Sequence, residues 1–211
     1  MIHELRIYTV KPLTTSVVAK NAAEIGRAVR GDDFGKLEGY WMTDIGPLNQ
    51  VVHLWSYKDL NERERLRSEL AKNERWNKEY VPLIRPYLVR QDIRLLTPVI
   101  DIKKPERSPN VYEFRYYRLR PGTPKEWVGH FITGLPHREK YSKIAGLWQT
   151  EAGQPNEVCH LWAYPDLNTR TAARDAAMTD SGWQEFLKHA VNYLEEMNCM
   201  IMLPAAHSPL K

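Results

Sequence analysis

The chain has 211 residues with 30 Lys and Arg against 26 Asp and Glu, a formal net charge of +4, and is long enough for one large domain or two small ones. Its 43% hydrophobic and 27% charged residues are ordinary for a soluble globular protein. No apolar run approaches the roughly 20 residues that span a bilayer, and the first residues lack the basic-then-apolar pattern of a signal peptide.

Residues 2–10 alternate and contain Ile7, Tyr8, Thr9 and Val10, which predicts a strand ended by Pro12. Residues 14–30 carry Val17, Val18, Ala22, Ile25 and Val29 at helical spacing, and Gly31-Asp32-Asp33 breaks the pattern. Two strands follow at 36–43 and 50–57 around the turn 44–49. Asp59 stands where an N-cap belongs, with Glu62 three residues on, as in a capping box. The helix it opens carries Leu66 and Leu70, a second helical segment contains Trp76, Tyr80 and Leu83, and residues 89–96 form a last strand. The order βαββαβ is that of an α+β, ferredoxin-like split βαβ unit.

The unit occurs twice. Glu4-Leu5-Arg6-Ile7-Tyr8 returns as Glu113-Phe114-Arg115-Tyr116-Tyr117, Pro12 as Pro121, and Gly39-Tyr40-Trp41 as Gly146-Leu147-Trp148. Asn49 returns as Asn156, His53-Leu54-Trp55-Ser56-Tyr57 as His160-Leu161-Trp162-Ala163-Tyr164, and Asp59-Leu60-Asn61 as Asp166-Leu167-Asn168. Arg63, Arg67 and Trp76 recur as Arg170, Arg174 and Trp183. This divides the chain into a first unit at 1–97, a proline-bearing linker at 98–110, a second unit at 111–204 and a tail at 205–211 expected to be exposed. One sheet with helices on a single face needs a cover for the other. The expected arrangement is therefore two sheets packed face to face, an intramolecular pseudo-dimeric α+β barrel.

Strand side chains alternate between faces. Leu5 and Ile7 share one face; Glu4, Arg6 and Tyr8 share the other. His53, Trp55 and Tyr57 likewise separate from Val52 and Leu54. If the two central strands align their apolar sides, Glu4, Arg6, Tyr8, His53, Trp55 and Tyr57 gather on one surface. The second unit repeats this with Glu113, Arg115, Tyr117, His160, Trp162 and Tyr164. Buried charges must be paired, hydrated or placed on a cavity. One expectation is a ligand pocket in which His53 or His160 carries a proton, Arg6 or Arg115 holds an anionic group, and Trp55 and Trp162 are walls. The other is a paired network that only fixes how the two copies dock, in a scaffold with no chemistry.

Arg63 and Arg67, four apart on a helix, are expected to pair with nearby acids in solvent, and Trp41, Trp76, Trp148 and Trp183 to serve packing. Cys159 and Cys199 form no C-x-x-C motif and suit buried thiols in a reducing compartment. Basic residues interleave with acids, as in Glu62-Arg63-Glu64-Arg65, which does not suit a nucleic-acid surface. Metal-ligand spacing, a P-loop, G-x-G-x-x-G and G-x-S-x-G are absent, so no cofactor is expected. The expectation is a cytoplasmic protein with a small-molecule partner, no membrane or nucleic-acid partner, and room to form a homodimer or larger homo-oligomer.

Both halves resemble the NIPSNAP domain of the dimeric α+β barrel superfamily. The resemblance rests on Glu4-Leu5-Arg6-Ile7-Tyr8, Gly39-Tyr40-Trp41, Asp44-Ile45-Gly46, Asn49, His53-Leu54-Trp55-Ser56-Tyr57 and Arg63, and covers about residues 2–97 and 111–203. The second copy departs from it with Glu151-Ala152-Gly153, and the first has Leu13 where the second keeps Gly122. Within the superfamily the resemblance implies a pocket beside the sheet, and it brings haem binding and cofactor-free monooxygenase chemistry in as alternatives.

Overall fold

A computed structural model describes residues 1–211 and resolves two compact units, one formed by Met1–Thr97 with Met202–Lys211, the other by Pro98–Ile201. In the first unit β1 (Ile2–Val10) is central. It pairs antiparallel with β3 (Gln50–Tyr57) on one side and β4 (Leu88–Ile100) on the other, and β3 pairs with β2 (Lys36–Ile45). The second unit repeats the scheme. β5 (Val111–Leu119) pairs with β7 (Glu157–Tyr164), β7 pairs with β6 (Ile144–Ala152), and β8 (Leu194–Pro204) lies on the other side of β5.

The helices of the first unit are interrupted where the sequence predicted continuity. The segment expected at 14–30 is α1 (Thr15–Asn21), a π-helical turn at Ala22–Gly26 and α2 (Arg27–Arg30). After α3 (Leu60–Lys72), whose N-cap Asp59 accepts from the Glu62 amide at 2.8 Å as expected, a second π-helical turn at Trp76–Tyr80 leads into α4 (Val81–Ile84). The second unit has regular helices in the same places: α5 (Pro124–Arg138), α6 (Leu167–Thr179) and α7 (Ser181–Ala190).

Register settles the alignment of faces. Arg6 stands opposite His53 and Glu4 opposite Trp55, while Leu5 opposes Leu54 and Ile7 opposes Val52. Arg115 opposes His160 and Glu113 opposes Trp162 in the second unit. The charged and aromatic side chains therefore do share one face in each half. That face packs against the unit's own helices: Tyr8, Trp55 and Tyr57 lie in one core with Val18, Ala22, Tyr80 and Ile84. In each half that face is covered by the unit's own helices.

Trp41 and Trp148 lie on the opposite, apolar face and are nearly fully buried. Each indole lies flat on its own strand over the glycine two residues earlier. A Cβ at Gly39 would stand 2.0 Å from the Trp41 ring, and one at Gly146 2.3 Å from Trp148. Gly39→Ala should therefore lower stability by about 1–3 kcal/mol in thermal unfolding. Gly129→Ala, where an added Cβ meets nothing, is the control.

Two expectations are corrected. The tail is not an exposed extension: Ala205, Ser208 and Leu210 are buried. The Ala205 amide donates to the Tyr40 carbonyl and the Tyr40 amide donates to Ser208 Oγ, both at 2.9 Å, so the tail is tied to β2. The linker is also shorter than 98–110, since β4 runs to Ile100. The repeated asparagines have a backbone reason. Asn49 and Asn156 take φ of 57° and 62°, a left-handed conformation that Asn tolerates better than most residues, and their carbonyls accept from the Val10 and Leu119 amides.

Candidate functional site

Each unit encloses a cavity between sheet and helices. The first measures about 340 Å³, the second about 120 Å³. Of the six residues expected in the first unit, Arg6, Tyr8, His53 and Trp55 line the cavity. In the second the equivalent four do so: Arg115, Tyr117, His160 and Trp162. Glu4, Glu113, Tyr57 and Tyr164 are buried and do not line the cavities, the two tyrosine hydroxyls accepting from the lining Arg30 and Arg138.

Glu4 is a charge hub. Its Oε1 accepts from Arg6 Nη1 at 2.8 Å and its Oε2 accepts from Arg63 Nε and Nη2. Burial alone would raise its pKa, but Arg6, Arg63 and Arg67 together hold it below the usual carboxylate value. Arg63 is thus a partner of a buried carboxylate and not a solvated surface residue. Arg6 also donates from Nε to Tyr8 Oη at 2.5 Å. Around Glu113 the same hub forms, with Arg115 and Arg170 both donating to Oε1 and the Cys199 thiol donating at 3.3 Å.

The histidines occupy matching positions. Trp55 Nε1 donates to His53 Nδ1, and Trp162 Nε1 to His160 Nδ1, each at 2.6 Å. An accepting Nδ1 carries no proton, so the neutral ring bears its hydrogen on Nε2. Burial, with Arg6 and Arg30 next, pushes His53 well below its ordinary pKa. Burial and Arg115 do the same to His160, against a smaller opposing pull from Glu113. His53 stacks on Tyr40 at 5.2 Å and meets Tyr8 edge-on at 4.8 Å. In the second unit His160 Nε2 is buried with no partner.

Several lining residues were not singled out by sequence reasoning. Arg30 is 3% exposed and lies 3.3 Å from the Trp55 ring centroid, with Nη2 donating to Tyr57 Oη and the Phe34 carbonyl. Burial lowers its pKa to about 10. Arg138 repeats this over Trp162 at 4.6 Å, donating to Tyr164 Oη. The pair is itself a recurrence in the sequence, at an offset of 108 between the 109 of the first strands and the 107 of the third. His207, from the tail, packs on Tyr40 at 4.4 Å and closes one side of the first cavity. Burial, then Arg27 and Lys211, brings its pKa to about 4. Trp76 and Trp183 prove to be cavity walls as well as packing residues.

The NIPSNAP family profile matches residues 3–101 and again residues 112–209. The chain belongs to the NIPSNAP family. Protein NipSnap homolog 2 of Homo sapiens is 32% identical over all of this chain and 75% of that protein, and NipSnap homolog 3A of Homo sapiens is 28% identical over all of this chain and 86% of its own length. Among solved structures, a Lactobacillus acidophilus NCFM protein provisionally described as a monooxygenase matches with a TM-score of 0.70 at 10% identity, over 97% of this chain and 94% of that one. An anthrone oxidase-like protein matches at 0.69, also at 10% identity, over 98% and 92%. These two share the fold. The NIPSNAP relatives name a family without a specified reaction. No helix of this NIPSNAP chain is long and apolar enough to cross a membrane.

Proposed function

We propose that the first unit binds a small organic anion with a flat aromatic body in the cavity between its sheet and helices. One observation carries this reading: five guanidinium groups, Arg6, Arg27, Arg30, Arg67 and Arg85, line the cavity and no carboxylate does. The remaining wall mixes aromatic rings (Tyr8, Tyr40, Trp55, Trp76 and Tyr80) with aliphatic side chains such as Leu37, Leu70 and Ile84, as suits a ligand pocket with a few convergent polar groups.

The roles differ from those expected from sequence. Arg6 already donates to Glu4 and Tyr8, and Arg27 and Arg30 to partners of their own, so the anion falls to Arg67, which is half-buried and, like the exposed Arg85, lines the cavity without a side-chain hydrogen bond. His53 offers an Nε2–H donor instead of a basic nitrogen, because Trp55 occupies Nδ1. It therefore orients an oxygen of the ligand and does not abstract a proton. The same tautomer disfavours haem ligation, which needs a free nitrogen lone pair.

Calorimetric titration with 2-naphthoate and with neutral 2-naphthol tests the reading. The carboxylate should bind and the alcohol bind more weakly. Arg67→Met should weaken the carboxylate by at least about tenfold, the loss of one charge-assisted contact. Equal binding of both probes, or an unaltered Arg67→Met affinity, would overturn it.

A further inference from the structure

The two cavities differ in volume although Arg6, Tyr8, His53 and Trp55 beneath the first recur as Arg115, Tyr117, His160 and Trp162 beneath the second, and the largest differences between them lie in the helices. Conserved hydrogen bonds within each unit place the difference to the residue. Thr14 and Thr123 begin equivalent helices, their amides donating to the Lys11 and Arg120 carbonyls. Arg30 and Arg138 end them, both donating to the equivalent Tyr57 and Tyr164 hydroxyls. The offset falls from 109 to 108 in between, so the first unit holds one extra residue, and its helix there contains the π-helical turn Ala22–Gly26.

The second helical segment repeats this. The Trp76 and Trp183 amides donate the same capping bond, to Oδ1 of Asn73 and of Asp180. Tyr87 and Tyr193 accept equivalent bonds from the Lys11 and Arg120 amides. The offset falls from 107 to 106, and the turn Trp76–Tyr80 is again π-helical where α7 is regular. A π turn is how a helix absorbs a single inserted residue, by bulging one turn. Both bulges lie on the cavity: Ala22 and Gly26 line it from one, Trp76, Asn77 and Tyr80 from the other.

Side-chain size acts in the same sense. Val18 and Ala22 correspond to Trp127 and Phe131, whose rings stack at 5.0 Å and fill the second cavity against His160 and Phe186. Leu70 against Ala177 runs the other way but is outweighed by two aromatic rings.

Resting on the anion-binding reading above, we infer that these two one-residue insertions, with Val18 and Ala22, decide which half binds: the first unit takes the ligand, Trp127 and Phe131 close the second, and the chain binds one ligand, not two. Val18→Trp/Ala22→Phe, which copies the second unit into the first, should abolish 2-naphthoate binding while far-ultraviolet circular dichroism and a cooperative thermal transition stay native. Deleting Ala23, which restores a regular helix, should weaken binding by at least about tenfold. Trp127→Val/Phe131→Ala should raise the stoichiometry from one to two, because Arg115, Arg138 and Arg174 already line that cavity. Two equivalents bound per wild-type chain, or full affinity in a folded Val18→Trp/Ala22→Phe variant, would overturn the partition while leaving anion binding intact. No binding by the wild type would instead remove the underlying reading, and the partition with it.

Discussion

Glu4→Gln is expected to cost about 3–5 kcal/mol in urea-induced unfolding at pH 7, the scale for removing one partner from a buried ion pair. Glutamine keeps the shape and one acceptor but not the charge. Arg6, with its side chain 6% exposed, and Arg63, at 18%, would then repel each other with no carboxylate between them. Glu113→Gln should behave alike, since Arg115 and Arg170 converge on one of its oxygens and Arg174 stands 3.7 Å away. A loss below about 1 kcal/mol would mean that these pairs behave as surface pairs. Replacing Glu4, Arg6 and Arg63 together by Leu, Met and Met should recover most of the loss, because hydrophobic residues can substitute for a complete buried network. That triple variant separates the cost of an orphaned charge from the worth of the network.

Much of this hub was legible in the sequence, for a definite reason. A strand has a strict two-residue period, so once β1 and β3 are neighbours, the grouping of Glu4, Arg6 and Tyr8 with His53 and Trp55 follows from parity alone. Parity does not say which side of the sheet the group faces, and the helices supplied that. Arg63 looked solvated because its sequence neighbours are acids, yet its partner is 59 residues away. Helix periodicity is tolerant, and one extra residue changes the pattern of apolar positions too little to reveal a π turn. The drift of the repeat offset from 109 to 106 was the signal, readable only once Arg30 is matched with Arg138 and Tyr87 with Tyr193. The tail escaped notice because Pro204 and Pro209 suggest disorder, whereas burial of Ser208 and Leu210 depends on hydrogen bonds to Tyr40 and to the tail itself.

Acid should unfold the protein in two stages, with the histidines leading. His53 and His160 are held neutral in the folded state well below their ordinary pKa of 6.5. Around His53 stand Arg6, Arg30, Arg67 and His207; around His160 stand Arg115, Arg174 and Arg138, opposed only by Glu113. A depressed folded pKa means that the unfolded chain takes up the proton first. Stability is therefore full above about pH 6.5 and falls as pH drops toward the folded value, by about 1.4 kcal/mol per pH unit for each histidine. The second stage belongs to the carboxylates. Burial would raise Glu113, but the Arg170 hydrogen bond and the charges of Arg115 and Arg174 bring it to about 2. Its contribution, on the order of 3 kcal/mol, is present above the unfolded value near 4.5 and is lost as pH falls through the folded one. His160→Gln keeps an acceptor for Trp162 Nε1 and carries no titrating group. Urea midpoints measured from pH 7 to pH 3 should show its slope between about pH 6 and pH 5 reduced by about a third, because His53 and His207, the latter held at about 4, keep their share. Glu113→Gln should do the reverse, lowering stability at pH 7 and flattening only the lower limb. An unchanged upper limb in His160→Gln would show that the imidazole accepts a proton in place, with Trp162 turned away from Nδ1.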